Sequence, residues 1–248
     1  MVACVFDGTI EGFFTAAFDL YKGNITPDVF CCGEPLQTAF DMRIIRITAQ
    51  KEKADRIRRC ILKNTNGEGY SHLLYALKSF SDNKYKIIYD YLTVIFSHGK
   101  DAPFMLSDKK VINFFDISRP VALECHRMQG FIHFKECGGG IYYADYAPDN
   151  DITEFIMPHF CKRFNSMPFV IHDVKRNIAG IYNTKEYKIF YGLDGLNICL
   201  SENEQQFLKI WKMYYNTVSI KQRKNTRLMK RFMPVRYWKF MAEKQDND

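Results

Sequence analysis

Residues 131–146 read FIHFKECGGGIYYADY. Alternating aromatic and polar residues flank the triple glycine Gly138–Gly140, which predicts a β-hairpin with strands at Phe131–Glu136 and Ile141–Tyr146 and the glycines as its turn. Downstream, Phe169–Asp173, Asn177–Asn183 and Glu186–Tyr191 are short β-prone runs separated by turn residues and continue as a meander. Upstream the period changes from two to about 3.6. Phe13, Phe14, Ala17, Phe18 and Tyr21 predict a helix over Thr9–Lys22, after a short buried strand at Val2–Phe6. Met42–Thr48 is a second strand, and Lys51–Asn64 an amphipathic helix. Gly67–Gly69 is a loop. Ser71–Phe80 and Asn83–Ser97 are helices, then Gly99–Pro103 is a break. Asp108–Met128 is helical with a break or fresh start at Pro120, and Asp151–Asn165 is a further helix.

Helices set before and after hairpins define an α+β chain: an antiparallel sheet of hairpins with helices packed on one side and a basic helical segment at the C-terminus. It is expected as a single domain over residues 1–248, with the basic segment at 201–242. There is no internal repeat. No strand is followed by GxGxxG and no GxxxxGK[ST] occurs, so the two familiar nucleotide-cradling loops are unsupported. Asp7 and Glu11 interrupt the apolar opening, and no 18-residue apolar run follows. A soluble, cytoplasmic protein with no membrane contact is expected. Eight scattered cysteines without a CxxC pair are expected to be mostly buried thiols.

Charge is unevenly placed. The chain carries a formal +7. Between Gln206 and Ala242 there is no Asp or Glu but there are ten Lys and Arg, so the rest of the chain is net negative. Phe207, Trp211, Tyr214, Phe232, Tyr237, Trp238 and Phe240 lie among these cations. The segment opens with a capping box, Ser201-x-x-Glu204, runs as a helix to about Thr217, and continues as an Arg-rich stretch from Ser219 to Phe232 that Pro234 stops. Cations beside flat rings suit phosphates and unstacked bases, and equally an acidic protein surface.

Candidate chemistry lies upstream. Glu124-Cys125-His126-Arg127 falls where a helix is expected to end and a strand to begin. Either its side chains point into a cleft, with His126 as a base and Arg127 on a phosphate, or Glu124 and Arg127 satisfy local backbone groups. Cys125, His126, His133 and Cys137 match no common zinc spacing, and no metal or other cofactor is expected. Asp145, Asp149 and Asp151 are either carboxylates for Mg²⁺ or a turn and helix cap. His159 and Arg163 share a helix face. His172 and Asp173 end a strand, with Lys175 and Arg176 in the next turn. Glu124, His126, Arg127, His159, Arg163 and His172 are the expected edges of one pocket.

Several of these residues also carry a resemblance. The chain resembles a bacterial family of DNA-metabolism or DNA-repair proteins, itself a domain of unknown function. The resemblance covers essentially the whole length. It rests on Phe6-Asp7-Gly8-Thr9-x-Glu11-Gly12-Phe13, Glu124-x-His126-Arg127-x-x-Gly130-Phe131-x-x-Phe134, Tyr143-Ala144 to Pro148-Asp149, His159-Phe160-x-x-Arg163-Phe164, Ile171-His172-Asp173 with Arg176, Trp211-Lys212-x-Tyr214, Ile220-x-x-Arg223-x-Asn225 and Met233-Pro234-x-Arg236-Tyr237-Trp238. It implies a gene paired with a radical SAM protein that modifies or repairs DNA. It also implies occasional fusion to a uracil-DNA-glycosylase-like domain, which is not expected in this chain. It brings no catalytic assignments.

Three functions follow as expectations. The first is a nucleic-acid-binding accessory factor acting with a radical SAM partner on single-stranded DNA or damaged duplex. Arg127, His159, Arg163, Arg176, Arg223, Lys224, Asn225, Arg227, Arg231, Arg236, Tyr237 and Trp238 would be its binding residues. The second is a metal-dependent nuclease or glycosylase-like enzyme, with Glu124, His126, His172 and Asp173 as catalytic candidates beside Asp145. The third is an adaptor whose basic face docks on the radical SAM protein.

Overall fold

The structure, a computed structural model, describes residues 1–33, 42–65, 67–193, 198–218, 225–241 and 244, with 215 and 216 described by backbone alone. They fall into two compact units, Met1–Ala122 and Leu123–Asp248.

The first unit is built on a parallel sheet of β1 (Val2–Phe6), β2 (Val29–Cys32) and β3 (Arg43–Arg46) in the order β2-β1-β3. Central β1 is an unbroken apolar run, buried from Ala3 to Phe6, as a strand covered on both faces requires. The turn Asp7-Gly8-Thr9 converts strand to helix. Gly8 takes φ +79°, a conformation that favours glycine. Asp7 Oδ1 accepts from the Thr9 amide and hydroxyl at 2.9 and 2.7 Å, and Thr9 Oγ1 accepts from Gly12 N at 2.9 Å. Thr9 thereby caps α1 (Ile10–Lys22).

Helices α2 (Lys51–Thr65), α3 (Glu68–Leu77), α4 (Lys84–His98) and α5 (Lys109–Phe131) follow, with a 3₁₀ turn at Gly99–Phe104. Rings from Phe6, Phe13, Phe30 and Tyr85 interlock at centroid distances of 5.0 to 6.4 Å. Tyr91 stacks on Phe114 at 3.9 Å, yet its buried hydroxyl has no hydrogen-bond partner among the described residues. An unpaired buried hydroxyl costs about 1–3 kcal/mol. Tyr91→Phe keeps the ring and removes that cost, so it is expected to raise stability by about 1 kcal/mol in a thermal or urea unfolding series.

The second unit is a five-stranded mixed sheet in sequential order: β4 (Lys135–Cys137), β5 (Ile141–Tyr146), β6 (Phe169–Asp173), β7 (Ile178–Tyr182) and β8 (Tyr187–Tyr191). β4–β5, β6–β7 and β7–β8 are antiparallel. β5 and β6 run parallel, bridged by α6 (Thr153–Arg163), because a parallel pair needs a crossover longer than a hairpin turn. α7 (Glu202–Val218) and α8 (Thr226–Phe232) follow, then a 3₁₀ turn at Val235–Phe240. α6 packs so closely on β7 that a Cβ on Gly180 would collide with Met157 Sδ.

The α+β class stands, and the expected elements need several corrections. The sheet is not made of hairpins throughout. β2 was hidden by the turn chemistry around Pro27. α3 begins at Glu68, inside the expected glycine loop. α5 passes Pro120 without a break and runs on to Phe131, shortening the expected first strand to Lys135–Cys137. Of the eight cysteines only Cys4 and Cys125 are buried, and burial pushes both thiols up to about 12. Among the described residues no helix is long and apolar enough to cross a membrane.

Candidate functional site

The extension of α5 relocates the first candidate cluster. Glu124, Cys125, His126 and Arg127 lie within the helix rather than at a helix–strand junction, so they cannot turn together into a cleft. His126 is exposed and Arg127 half-buried, while Glu124 is buried. The Glu124 carboxylate accepts from the Asp149 and Asn150 amides at 2.7 and 2.9 Å, from Asn150 Nδ2 at 2.8 Å and from the Tyr237 hydroxyl at 2.6 Å. Arg236 adds an ion pair to Asp149 at 2.7 Å, and its Nη2 donates to the Tyr237 hydroxyl at 3.0 Å. Burial and then the Glu124 carboxylate push the Tyr237 pKa well up, which keeps the hydroxyl a donor.

The same loop is held from its other side. Arg176 donates to the carbonyls of Pro148 (3.1 Å) and Asp149, and to Asp173 Oδ2 at 2.8 Å. Asp173 is fully buried. Thus Glu124, Asp173, Arg176, Arg236 and Tyr237 are brought together, as a frame for residues 148–150. His172 lies elsewhere. Adjacent strand residues face opposite ways, and its Nδ1 sits 2.8 Å from the Tyr143 hydroxyl. Burial lowers its pKa. The Nε2 atoms of His159 and His172 are both buried, with no hydrogen-bond partner among the described residues. The expected pocket edged by Glu124, His126, Arg127, His159, Arg163 and His172 is therefore not assembled.

The acidic trio disperses as well. Asp145 pairs with Lys135 at 3.0 Å and Asp149 with Arg236. Among the described residues no three His, Cys, Asp or Glu side chains gather as a metal site. Asn225 caps α8, accepting from Leu228 N at 2.9 Å. Trp238 donates to Met233 O at 3.0 Å. Arg227 and Arg231 are exposed on α8, and Arg223 and Lys224 lie outside the described residues.

A pocket of about 380 Å³ opens elsewhere in this unit, within the size range of small-molecule sites. Tyr142 and Phe169, register partners on β5 and β6, form one wall with Phe134 and Phe164. Phe134 meets Phe164 and Phe169 edge to face at 5.2 and 5.3 Å. α7 supplies Phe207 and Trp211, one helical turn apart, and the C-terminal 3₁₀ turn supplies Phe240. Glu204, the second half of the expected capping box, also lines it. Ser201 Oγ does accept from Glu204 N at 3.1 Å. The Glu204 side chain, however, takes the amide of Glu136 at 3.0 Å and pins α7 to the edge strand. Two cations stand against wall rings: Arg163 lies 5.5 Å from the Phe164 centroid and Lys239 4.8 Å from that of Phe240.

Phe207, Trp211 and Phe240 of this pocket are among the rings that the sequence places beside cations, and Arg163, next to its Phe164 wall, is an expected phosphate contact. Phe134, Tyr142, Phe164 and Phe169 carry no site role in the sequence reading, and Glu204 is expected there only as a cap. The available signal was the recurrence of rings at 134 and 142, with Phe207 and Trp211 four apart on α7 where the acid-free stretch begins.

The chain belongs to the DUF4130 family, a domain of unknown function, whose profile matches residues 82–243. No curated protein matches it.

Proposed function

We propose that the C-terminal unit binds nucleic acid. An unstacked base enters the aromatic pocket, and cations around it hold the flanking phosphates. The observation that carries this reading is the combination at one place of ring-lined walls, Phe207 and Trp211 on the acid-free part of α7, and the exposed cations Arg163 and Lys239 against Phe164 and Phe240. Aromatic faces accept any base and cations track the backbone. In this reading the protein is an accessory factor in DNA repair or modification, working beside a radical SAM partner that does the chemistry.

Fluorescence anisotropy with labelled single- and double-stranded DNA across a salt series tests it. Single strands should bind more tightly, with affinity falling steeply as salt rises. Trp211→Ala should weaken binding by about tenfold or more, since one stacked base is worth about 1–3 kcal/mol. Replacing Arg163 and Lys239 by Ala should flatten the salt slope by about one unit for each phosphate no longer held. Binding absent at low salt would sink the reading.

The adaptor reading has its own support. Phe207, Ile210, Met213, Tyr214 and Val218 are all exposed on α7, more apolar surface than a solvated helix ordinarily shows. A complex with the radical SAM protein that survives nuclease treatment would favour it.

A further inference from the structure

The pocket contains one feature that sequence-tolerant stacking does not need, the carboxylate of Glu204. Glu204 is 8% exposed in a wall made otherwise mostly of aromatic and aliphatic side chains. Its Oε2 accepts from Glu136 N, which fixes the side chain and leaves acceptor capacity on both oxygens. An ionised carboxylate accepts only, so it favours ligands that present N–H groups and repels those that present lone pairs. The basic wall residues are His133 and Lys135. Lys135 is already paired with Asp145 at 3.0 Å.

We infer that this pocket is selective for guanine, through Glu204 accepting from the base's Watson–Crick edge while Arg163 and Lys239 hold the attached phosphate. Guanine is the base whose Watson–Crick edge carries two adjacent N–H donors, N1–H and the N2 amino group. Adenine and cytosine place a ring lone pair beside their amino group, and thymine flanks its single N–H with carbonyls. Opposite a fixed carboxylate those lone pairs are repelled, and guanine alone pairs without conflict. The inference rests on the base-binding reading of the pocket and narrows it to one base.

The test has two arms on the full chain. In the first, calorimetry compares GMP, IMP and AMP. GMP should bind about tenfold or more tighter than AMP, with IMP between them because it keeps N1–H and lacks the amino group. Guanosine should bind more weakly than GMP. Glu204→Gln, which keeps a carbonyl for the Glu136 amide, should erase most of the GMP–AMP difference. If that variant fails to fold, the ranking of the three nucleotides on the natural protein still decides.

In the second arm, anisotropy compares a dT oligonucleotide carrying one central dG with the same oligonucleotide carrying dA. Preference for dG in both arms identifies an extruded DNA base. Preference for GMP without oligonucleotide binding identifies a free guanine nucleotide and removes the DNA reading alone. Salt-dependent oligonucleotide binding with equal affinity for dG and dA, and no ranking of the nucleotides, would overturn the guanine assignment and leave DNA binding intact.

Discussion

Glu124→Ala is expected to lower stability by about 3–5 kcal/mol, the cost of removing one partner from a buried charged network. Four donors lose their acceptor at once: two amides of the loop after β5, the Asn150 side chain and the Tyr237 hydroxyl. Helix propensity is no explanation, because alanine is the better helix former. The functional consequence follows from Tyr237. It sits in the 3₁₀ turn Val235–Phe240, and the last residue of that turn lines the pocket. Glu124 is thus a positioning residue, acting on the site through Tyr237 and the backbone that carries Phe240. Tyr237→Phe should cost less, about 1–2 kcal/mol, because it leaves the loop amides satisfied. Chemical denaturation of both variants gives the stabilities, and GMP titration reads the pocket. A Glu124→Ala protein as stable as the natural one would show that the carboxylate does not organise this loop.

The two halves of this arrangement were unequally legible in the sequence. β1, α1 and α2 follow from hydrophobic period, and Thr9, the expected first helical residue, is the cap of α1. Glu124 and Asp173 were legible as catalytic candidates and Arg176, Arg236 and Tyr237 as nucleic-acid contacts, but not as members of one frame. Their partners are backbone groups of residues 148–150, and a one-dimensional pattern does not say which amides a carboxylate will meet. The break expected at Pro120 misled further. A proline loses one helical hydrogen bond, and α5 absorbs that loss, which carries Glu124 and His126 onto different sides of one helix. The pocket was hidden for another reason. Phe134, Tyr142, Phe164 and Phe169 satisfy the same spacing whether they close a core or leave a gap. Only the parallel β5–β6 pairing and the docking of α7 on β4 leave that space open.

Arg176→Met should be nearly as costly as Glu124→Ala at neutral pH and should have a distinct pH signature. Asp173 is wholly buried, and burial raises its pKa while Arg176, 2.8 Å away, pulls it back down. A carboxyl that binds its proton more tightly folded than unfolded costs nothing below the unfolded pKa. Its cost grows as pH rises towards the folded pKa and is complete above it. Removing the guanidinium raises the folded pKa further and enlarges that cost. The variant should therefore lose about 3–5 kcal/mol at pH 7.5. Measured against the natural protein at each pH, the loss should shrink as the pH is lowered into the carboxylate range, leaving only the part due to the Pro148 and Asp149 carbonyls. Adding Asp173→Asn to Arg176→Met should abolish the pH-dependent part and keep the constant one. A loss of equal size at every pH would mean that Arg176 works through the two carbonyls alone. The Asp173 pairing would then contribute nothing to holding the loop that Glu124 and Tyr237 grip from the other side.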